Sequence, residues 1–354
     1  MSVGVFDDAL LGGLFGDEEV AGAFAAEATL ERYRAFEAAL TRALAAEGLI
    51  DDAAAEAILA GCASFRPDVA AIAAATARDG VPVPEYVRQL RAHVGDPHAA
   101  ALHLGATSQD LVDTALVQAL DDVNAILAGR LRAVDAALDT LTERFGAAPL
   151  MGRTRMQAAV SITVGDRVAA WRAPLPWHLD RLAGLSPRLH ALQFGGAVGT
   201  RHALGDRGEA VAARLAEALG FAHAPKAWHA ERDGIAEYGA WLSLVTGSLG
   251  KIGQDVALMA QQGLDEIALA DGGSSSAMPH KRNPVQAELL VTLARFNATQ
   301  LAGLHHALVH EQERSGAAWA VEWMLLPPMC VATGTALATA QAMFGSVERL
   351  GAPA

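Results

Sequence analysis

Residues 107–145, TSQDLVDTALVQALDDVNAILAGRLRAVDAALDTLTERF, decide the fold. Thr107 and Asp110 stand three apart, the spacing of a capping box, and an apolar series follows them. Leu116, Leu120, Val123, Leu127, Leu131, Val134, Leu138 and Leu141 step by three and four, so one helix face collects them all. The spacing predicts a helix of roughly 35 residues, about 50 Å long at the α-helical rise. The same step returns across 233–266 through Ile235, Tyr238, Leu242, Val245, Leu249, Ile252, Val256 and Met259. It returns again after Pro284 through Leu290, Leu293, Leu301, Leu304 and Leu308, with Asn297 interrupting the seam. Further helical segments are predicted at 155–183, 206–219 and 329–350. Helices this long exceed the usual globular length and bury their stripes against one another, which gives an all-α bundle.

Composition agrees with that class. Of 354 residues, 52% are hydrophobic and only 5% aromatic, so the apolar surplus is Ala and Leu, good helix formers. The chain carries 27 basic and 40 acidic residues, net −13, which argues against nucleic-acid and anionic-membrane partners. A local basic pocket for an acidic metabolite is compatible with it. Two cysteines, Cys62 and Cys330, are too few for a disulfide framework or a Cys-based zinc site. The N-terminus is acidic and lacks the basic start of a secretory signal, and the apolar stretch 329–344 is shorter than a membrane span. The expectation is a soluble cytoplasmic protein. Before residue 105 the pattern is of shorter pieces: Leu30, Tyr33, Leu40 and Leu44 at helical spacing, Gly48 as a stop, then Pro67, Pro82, Pro84 and Pro97. That predicts a small N-terminal helical domain over 1–104 and a long-helix bundle domain over 105–354.

Three polar, glycine-containing loops, 103–110, 152–157 and 271–284, hold residue types that helices do not need. The richest is 271–284, DGGSSSAMPHKRNP. Serines on a loop beside His280, Lys281 and Arg282 could close over an anionic substrate, and those cations favour the alkoxide form of a serine. Pro284 suits the first turn of the next helix. A solvated linker is the plainer alternative. His306 and His310, four apart, could share a zinc-facing helix side, but no third ligand is fixed and no HExxH pattern is present, so no metal is expected. Gly195–Thr200 lacks a preceding strand and reads as a tight turn rather than a dinucleotide loop. Arg314 could reach a substrate or form a surface ion pair.

Gly273–Pro284 resembles the GSSxMPxKxNP signature of the fumarase/aspartase superfamily. His103–Ala115, HLGATSQDLVDTA, resembles that superfamily's first region, HxGxTSxDxxDTA. Gly152–Gln157, GRTRMQ, resembles the second, RTxxQ, and Trp228–Asp233, WHAERD, is a weaker fourth match. The resemblance implies a subunit whose long helices build a tetramer's helical core, with each active site assembled from regions of different subunits. It implies Ser275 as the catalytic loop serine, with Ser274 and Ser276 as neighbouring registers. Lys281 and Asn283 fall at carboxylate-binding and loop-ordering positions, Thr107 and Ser108 at hydroxyl donors, and His103 at a substrate-contacting histidine. His229 belongs to the fourth match. Arg153, Arg155, Lys281 and Arg282 would supply positive charge, and Thr154 and Gln157 directed hydrogen bonds.

Departures narrow the resemblance. Lyases that cleave C–N bonds carry a histidine where this sequence has Arg155. The segment 81–90, with MPHKRNP and ERSGAAWAVEW at 313–323, resembles the bacterial 3-carboxy-cis,cis-muconate cycloisomerases, which also lack that histidine but typically have Trp there. The expected activity is lactonisation of a small tricarboxylate without metal or organic cofactor. The alternatives are a C–N or C–O lyase of the same superfamily and a catalytically silent helical scaffold. Family members commonly carry a third small helical domain, and the sequence to Ala354 reads as a two-domain version.

Overall fold

The computed structural model describes residues 4–270, 272–274, 277–278 and 281–352. Six helices open the chain: α1 Gly12–Phe15, α2 Glu18–Gly22, α3 Ala26–Ala46, α4 Asp52–Ser64, α5 Val69–Asp79 and α6 Val83–Val94. Asp17, Asp51 and Asp68 cap the helices that follow them by accepting backbone N–H groups. The apolar face of α3 (Tyr33, Phe36, Leu40, Leu44) buries against Ile58, Tyr86 and Leu90. Leu111 and Val117 of the next helix, together with Leu192, Phe194 and Leu215, complete this cluster.

That next helix, α7, runs Ser108–Phe145, 38 residues, and begins at the expected capping box. Its stripe from Leu120 to Leu138 is fully buried. A β-hairpin follows, β1 Pro149–Thr154 against β2 Gln157–Thr163, antiparallel and closed by the Thr154–Gln157 pair. The helix expected over 155–183 therefore starts only at α8, Val164–Arg172, and continues as α9, Pro174–Leu189. Thr163 and Asp166 form a second capping box that fixes this start. After α10, Gly208–Leu219, come α11 Asp233–Met259, β3 Ile267–Leu269, α12 Val285–His306, α13 Ala317–Gly345 and β4 Val347–Leu350, which pairs antiparallel with β3.

Three further boundaries differ from the sequence reading. The helix beginning near 233 stops at Met259 rather than 266, and the last helix starts at Ala317 rather than near 329 and ends at Gly345 rather than 350, where β4 takes over. At 29 residues, α13 is long and apolar enough to cross a membrane, contrary to the expectation for 329–344. Its apolar residues from Leu326 to Phe344 lie in the bundle core, which accounts for that composition.

The bundle is tight because small residues let backbones meet. A Cβ at Gly253 would strike the Ala287 carbonyl and come within 2.8 Å of Leu290 Cβ, so α11 and α12 touch at backbone distance there. Asn297, the polar interruption in α12, is buried and donates from Nδ2 to Thr333 Oγ1 at 2.9 Å and to Met329 O at 3.3 Å. It ties α12 to α13 in one register.

Candidate active site

The first loop sits at the N-terminus of α7, built around Asp110. Its carboxylate, fully buried, accepts four hydrogen bonds: Thr107 N–H at 2.9 Å, Gly195 and Gly196 N–H at 3.0 Å each, and His229 Nε2 at 2.8 Å. The buried start of the 195–200 turn, Gly195 and Gly196, therefore braces α7. Gly196 has φ +66°, and a Cβ there would stand 2.6 Å from Gly105 O, so glycine is required.

Above this brace, Arg314 Nη1 donates to Thr107 Oγ1 at 2.9 Å, and Nη2 donates to the carbonyls of Gly196 and Ala197. No carboxylate pairs with Arg314 among the described residues, so the ion-pair alternative does not hold there. Ser108 is half-buried at the first turn of α7, where the helix dipole favours an anion. His103, with φ +63°, places Nδ1 2.6 Å from Glu37 Oε1. Burial alone would lower its pKa, but the charge and hydrogen bond of Glu37, with Asp110 beyond, raise it above the ordinary imidazole value against Arg91.

Beneath lies a fully buried ionic layer. Arg232 donates to Asp113 from Nη1 at 2.7 Å and Nη2 at 3.1 Å, and to Glu322 from Nε at 2.8 Å and Nη2 at 2.5 Å. Trp319 Nε1 adds a bond to Asp113 at 2.9 Å, and Gln109 and Gln193 each donate to it at 3.1 Å. Burial pushes Asp113 up, yet Arg232 and these donors hold it below the usual carboxylate range, whereas burial of Glu322 outweighs Arg232 and raises it. The layer joins α7, α11 and α13 directly under the first loop.

The second and third loops lie elsewhere. Arg153 is on β1, where Nη1 donates to the buried Glu266 Oε1 at 2.5 Å, so its charge is already compensated. Thr154, Arg155 and Gln157 are exposed around the hairpin tip. Arg155 and Met156, with φ of +51° and +68°, form its two-residue turn. Of the third loop, Gly273 and Asn283 exchange backbone hydrogen bonds at 2.9 Å, which closes its base. Arg282 Nη1 donates to Ala270 O at 3.2 Å. Lys281, Arg282 and Asn283 line a groove with Gln261, Met278 and Arg349. Ser275 and Ser276, like His280, lie outside the described residues.

The site residues thus divide into two groups. His103, Thr107, Ser108 and His229 meet Arg314 at the start of α7. Arg153, Thr154, Arg155, Gln157, Lys281, Arg282 and Asn283 cluster beyond its other end, since the hairpin follows Phe145 and Arg153 bonds Glu266 beside β3. A 38-residue helix separates the groups by about 57 Å. His229 is not open to the loop: it is 2% exposed, with Nε2 held by Asp110 and Nδ1 without a partner among the described residues. The His306/His310 spacing fails because α12 ends at His306. Sequence reasoning missed Glu37, Asp110, Asp113, Arg232, Trp319 and Glu322 as site-building residues. All but Glu37 fall inside the quoted motifs, and Glu37 was detectable as the one acid on the buried face of α3.

Comparison with known proteins agrees in family. The lyase family profile matches residues 16–298. The 3-carboxy-cis,cis-muconate cycloisomerase of Pseudomonas aeruginosa is 41% identical over 319 residues, covering 88% of this chain and 70% of that protein. The nitrosuccinate lyase of Streptomyces davaonensis is 36% identical, over 95% of this chain and 74% of its own. The crystal structure of the 3-carboxy-cis,cis-muconate lactonizing enzyme from Pseudomonas putida superposes with a TM-score of 0.90 at 37% identity, over 97% of this chain and 77% of that one.

Proposed function

We propose, for a chain that belongs to this lyase family and has its fumarase/aspartase-type helical fold, a cycloisomerase that interconverts 3-carboxy-cis,cis-muconate and 4-carboxymuconolactone. The observation that carries the reading is the similarity, in sequence and in structure, to cycloisomerases of that name. Arg155 supports it as well, because intramolecular ring closure has no amine leaving group to protonate.

In the forward direction a substrate carboxylate oxygen bonds to an alkene carbon that is already within reach. The alkene electron pair moves onto the carbon beside a second carboxylate, which holds it as an aci-carboxylate. Ser275 gives that carbon its proton and regains one from water. Lys281 and the N–H groups of the loop offset the developing charge. Arg314, Thr107, Ser108 and His103 bind the spectator carboxylates. Because one chain holds His103, Thr107, Ser108 and Arg314 about 57 Å from Lys281, at opposite ends of α7, the proposed site is completed by other copies in a homotetramer, with no cofactor.

The test is to mix the purified protein with freshly prepared 3-carboxy-cis,cis-muconate, follow loss of diene absorbance and identify the product by NMR. Formation of the lactone supports the reading. No lactone, but fumarate or an analogue released from an N-substituted succinate, would transfer the assignment to a C–N lyase, the second reading favoured by the nitrosuccinate lyase relative.

A further inference from the structure

We infer that Glu37 is a positioning residue for this reaction, holding His103 by Nδ1 so that Nε2–H is presented to a substrate carboxylate. The inference rests on the functional reading above only for the identity of that carboxylate. Its structural basis lies in α3 and the first loop.

Glu37 occupies the apolar face of α3, among Tyr33, Phe36, Leu40 and Leu44, and is fully buried. An isolated carboxylate there carries a heavy desolvation cost unless it is paired. Among the described residues its side chain has one hydrogen-bond partner, His103 Nδ1 at 2.6 Å, and Oε2 has none. The carboxylate is committed to the imidazole.

The imidazole is itself placed at a cost. His103 has φ +63°, a conformation that side chains other than glycine rarely adopt, in the loop that leads into α7. Its side chain is 13% exposed, and Nε2 has no partner among the described residues. A carboxylate can only accept, so Nδ1 carries the proton shared with Glu37 and Nε2 is left to face the loop. Around the pair stand Asp110 on α7, Arg91 on α6, which donates to Leu102 O at 2.9 Å, and Tyr86 and Cys62 on the Glu37 side. Glu37 and Asp110 outweigh Arg91 and favour the imidazolium, which binds a carboxylate more strongly than neutral imidazole.

The test compares wild type with Glu37→Gln, which keeps shape and removes charge, and with His103→Gln. Imidazole NMR titration of the 12 histidines, with His103 assigned from His103→Gln, reads the pair directly and needs no substrate. In Glu37→Gln the His103 titration should move down, because burial and Arg91 then act without the opposing Glu37 charge. An unmoved titration in a folded variant overturns the inference. With the tricarboxylate, kcat/KM of Glu37→Gln should fall about tenfold at pH 8 and recover as the pH is lowered, while the double variant loses no more than His103→Gln alone. Losses that multiply in the double variant would also overturn it, because Glu37 would then act independently of His103. Should wild type leave the tricarboxylate unchanged, the functional reading fails and the NMR titration still decides the role of Glu37.

Discussion

The two-ended distribution of site residues makes a quantitative prediction about mixed assemblies. Arg314→Ala disables the end of α7 that carries Thr107 and Ser108, and Ser275→Ala disables the third loop. Removing a guanidinium that binds a carboxylate costs about 2–5 kcal/mol, a loss of roughly 30-fold or more. Removing a proton-transfer group costs about 10²–10⁴-fold. Each variant alone should therefore be nearly inactive. If both groups came from one chain, mixing the variants would recover nothing, since every site would contain one lesion. The length of α7, about 57 Å and far longer than a seven-carbon tricarboxylate, sets the first loop apart from Lys281–Asn283 within one chain and argues against that arrangement. With the groups drawn from different copies, a site works when its first-loop chain is the Ser275→Ala type and its third-loop chain the Arg314→Ala type. Random assembly makes each choice with probability one half, so about one quarter of sites are intact in a symmetric oligomer. The assay is co-refolding at equal ratio, size-exclusion chromatography to isolate the tetramer, and initial-rate measurement with the tricarboxylate. Recovery near a quarter of wild-type activity is expected. Hybrid tetramers no more active than the parents, or a fully active monomeric wild type, would refute the reasoning.

Three other outcomes follow from the packing and the buried charges. Arg232→Met leaves Asp113 and Glu322 buried without their cation and should destabilise the fold by about 3–5 kcal/mol in urea unfolding, more than Arg314→Ala does. Gly253→Ala forces α11 away from the Ala287 carbonyl and should cost about 1–3 kcal/mol by the same measurement, whereas Gly247→Ala, with open space at its Cβ, should be neutral or stabilising. Burial, with Arg181 nearby, lowers the His178 pKa to about 4, so the unfolded chain takes up a proton near pH 6.5 that the folded one refuses. Stability should fall by at most about 3 kcal/mol between pH 6.5 and 4, and His178→Gln should flatten that limb. His103, with its pKa raised, runs the other way: its contribution is full below about pH 6.5 and is lost as the pH rises through its folded value, so His103→Gln flattens the alkaline limb.

Much of the fold was readable because the long helices carry an uninterrupted three-and-four stripe. Leu116 to Leu141 and Ile235 to Met259 lie in the helices their spacing predicts, and the Thr107/Asp110 capping box forms. The β-hairpin was not readable. Its turn is Arg155-Met156 in the left-handed region, where two-residue hairpins usually show Asn, Asp or Gly, so no turn signal marks it. The early start of α13 was hidden by Pro327 and Pro328, residues that normally break a helix, yet here lie inside one. In the site, Asp110 and Asp113 stand within a quoted motif, but sequence order does not separate a residue that touches substrate from one that braces a turn. Burial does: both are fully buried, and their oxygens are occupied by Gly195, Gly196, His229 and Arg232.

The same separation ties ligand binding to assembly. The tricarboxylate of the proposed function needs several cations at once, and one chain divides its candidates between two ends. At the start of α7 stand Arg314 and His103, whose pKa the neighbouring Glu37 carboxylate raises; beyond the other end stand Arg155, Lys281 and Arg282, with Arg153 already neutralised by Glu266. In a chain of net charge −13, an isolated copy therefore presents two weak anion sites rather than one strong one. In the proposed assembly copies join the halves, so a tricarboxylate that bridges them would favour the assembly over separate chains by mass action. The buried Arg232 layer supports this geometry from below. It fixes the starts of α7 and α11 against α13, and Arg314, three residues before α13, is held by the same frame through Thr107 and the 195–200 turn. A shift in that layer moves the cationic half-site as a unit. In the proposed assembly the ionic groups beneath the first loop thus set where charge would be presented to a neighbouring copy, although none of them reaches the surface.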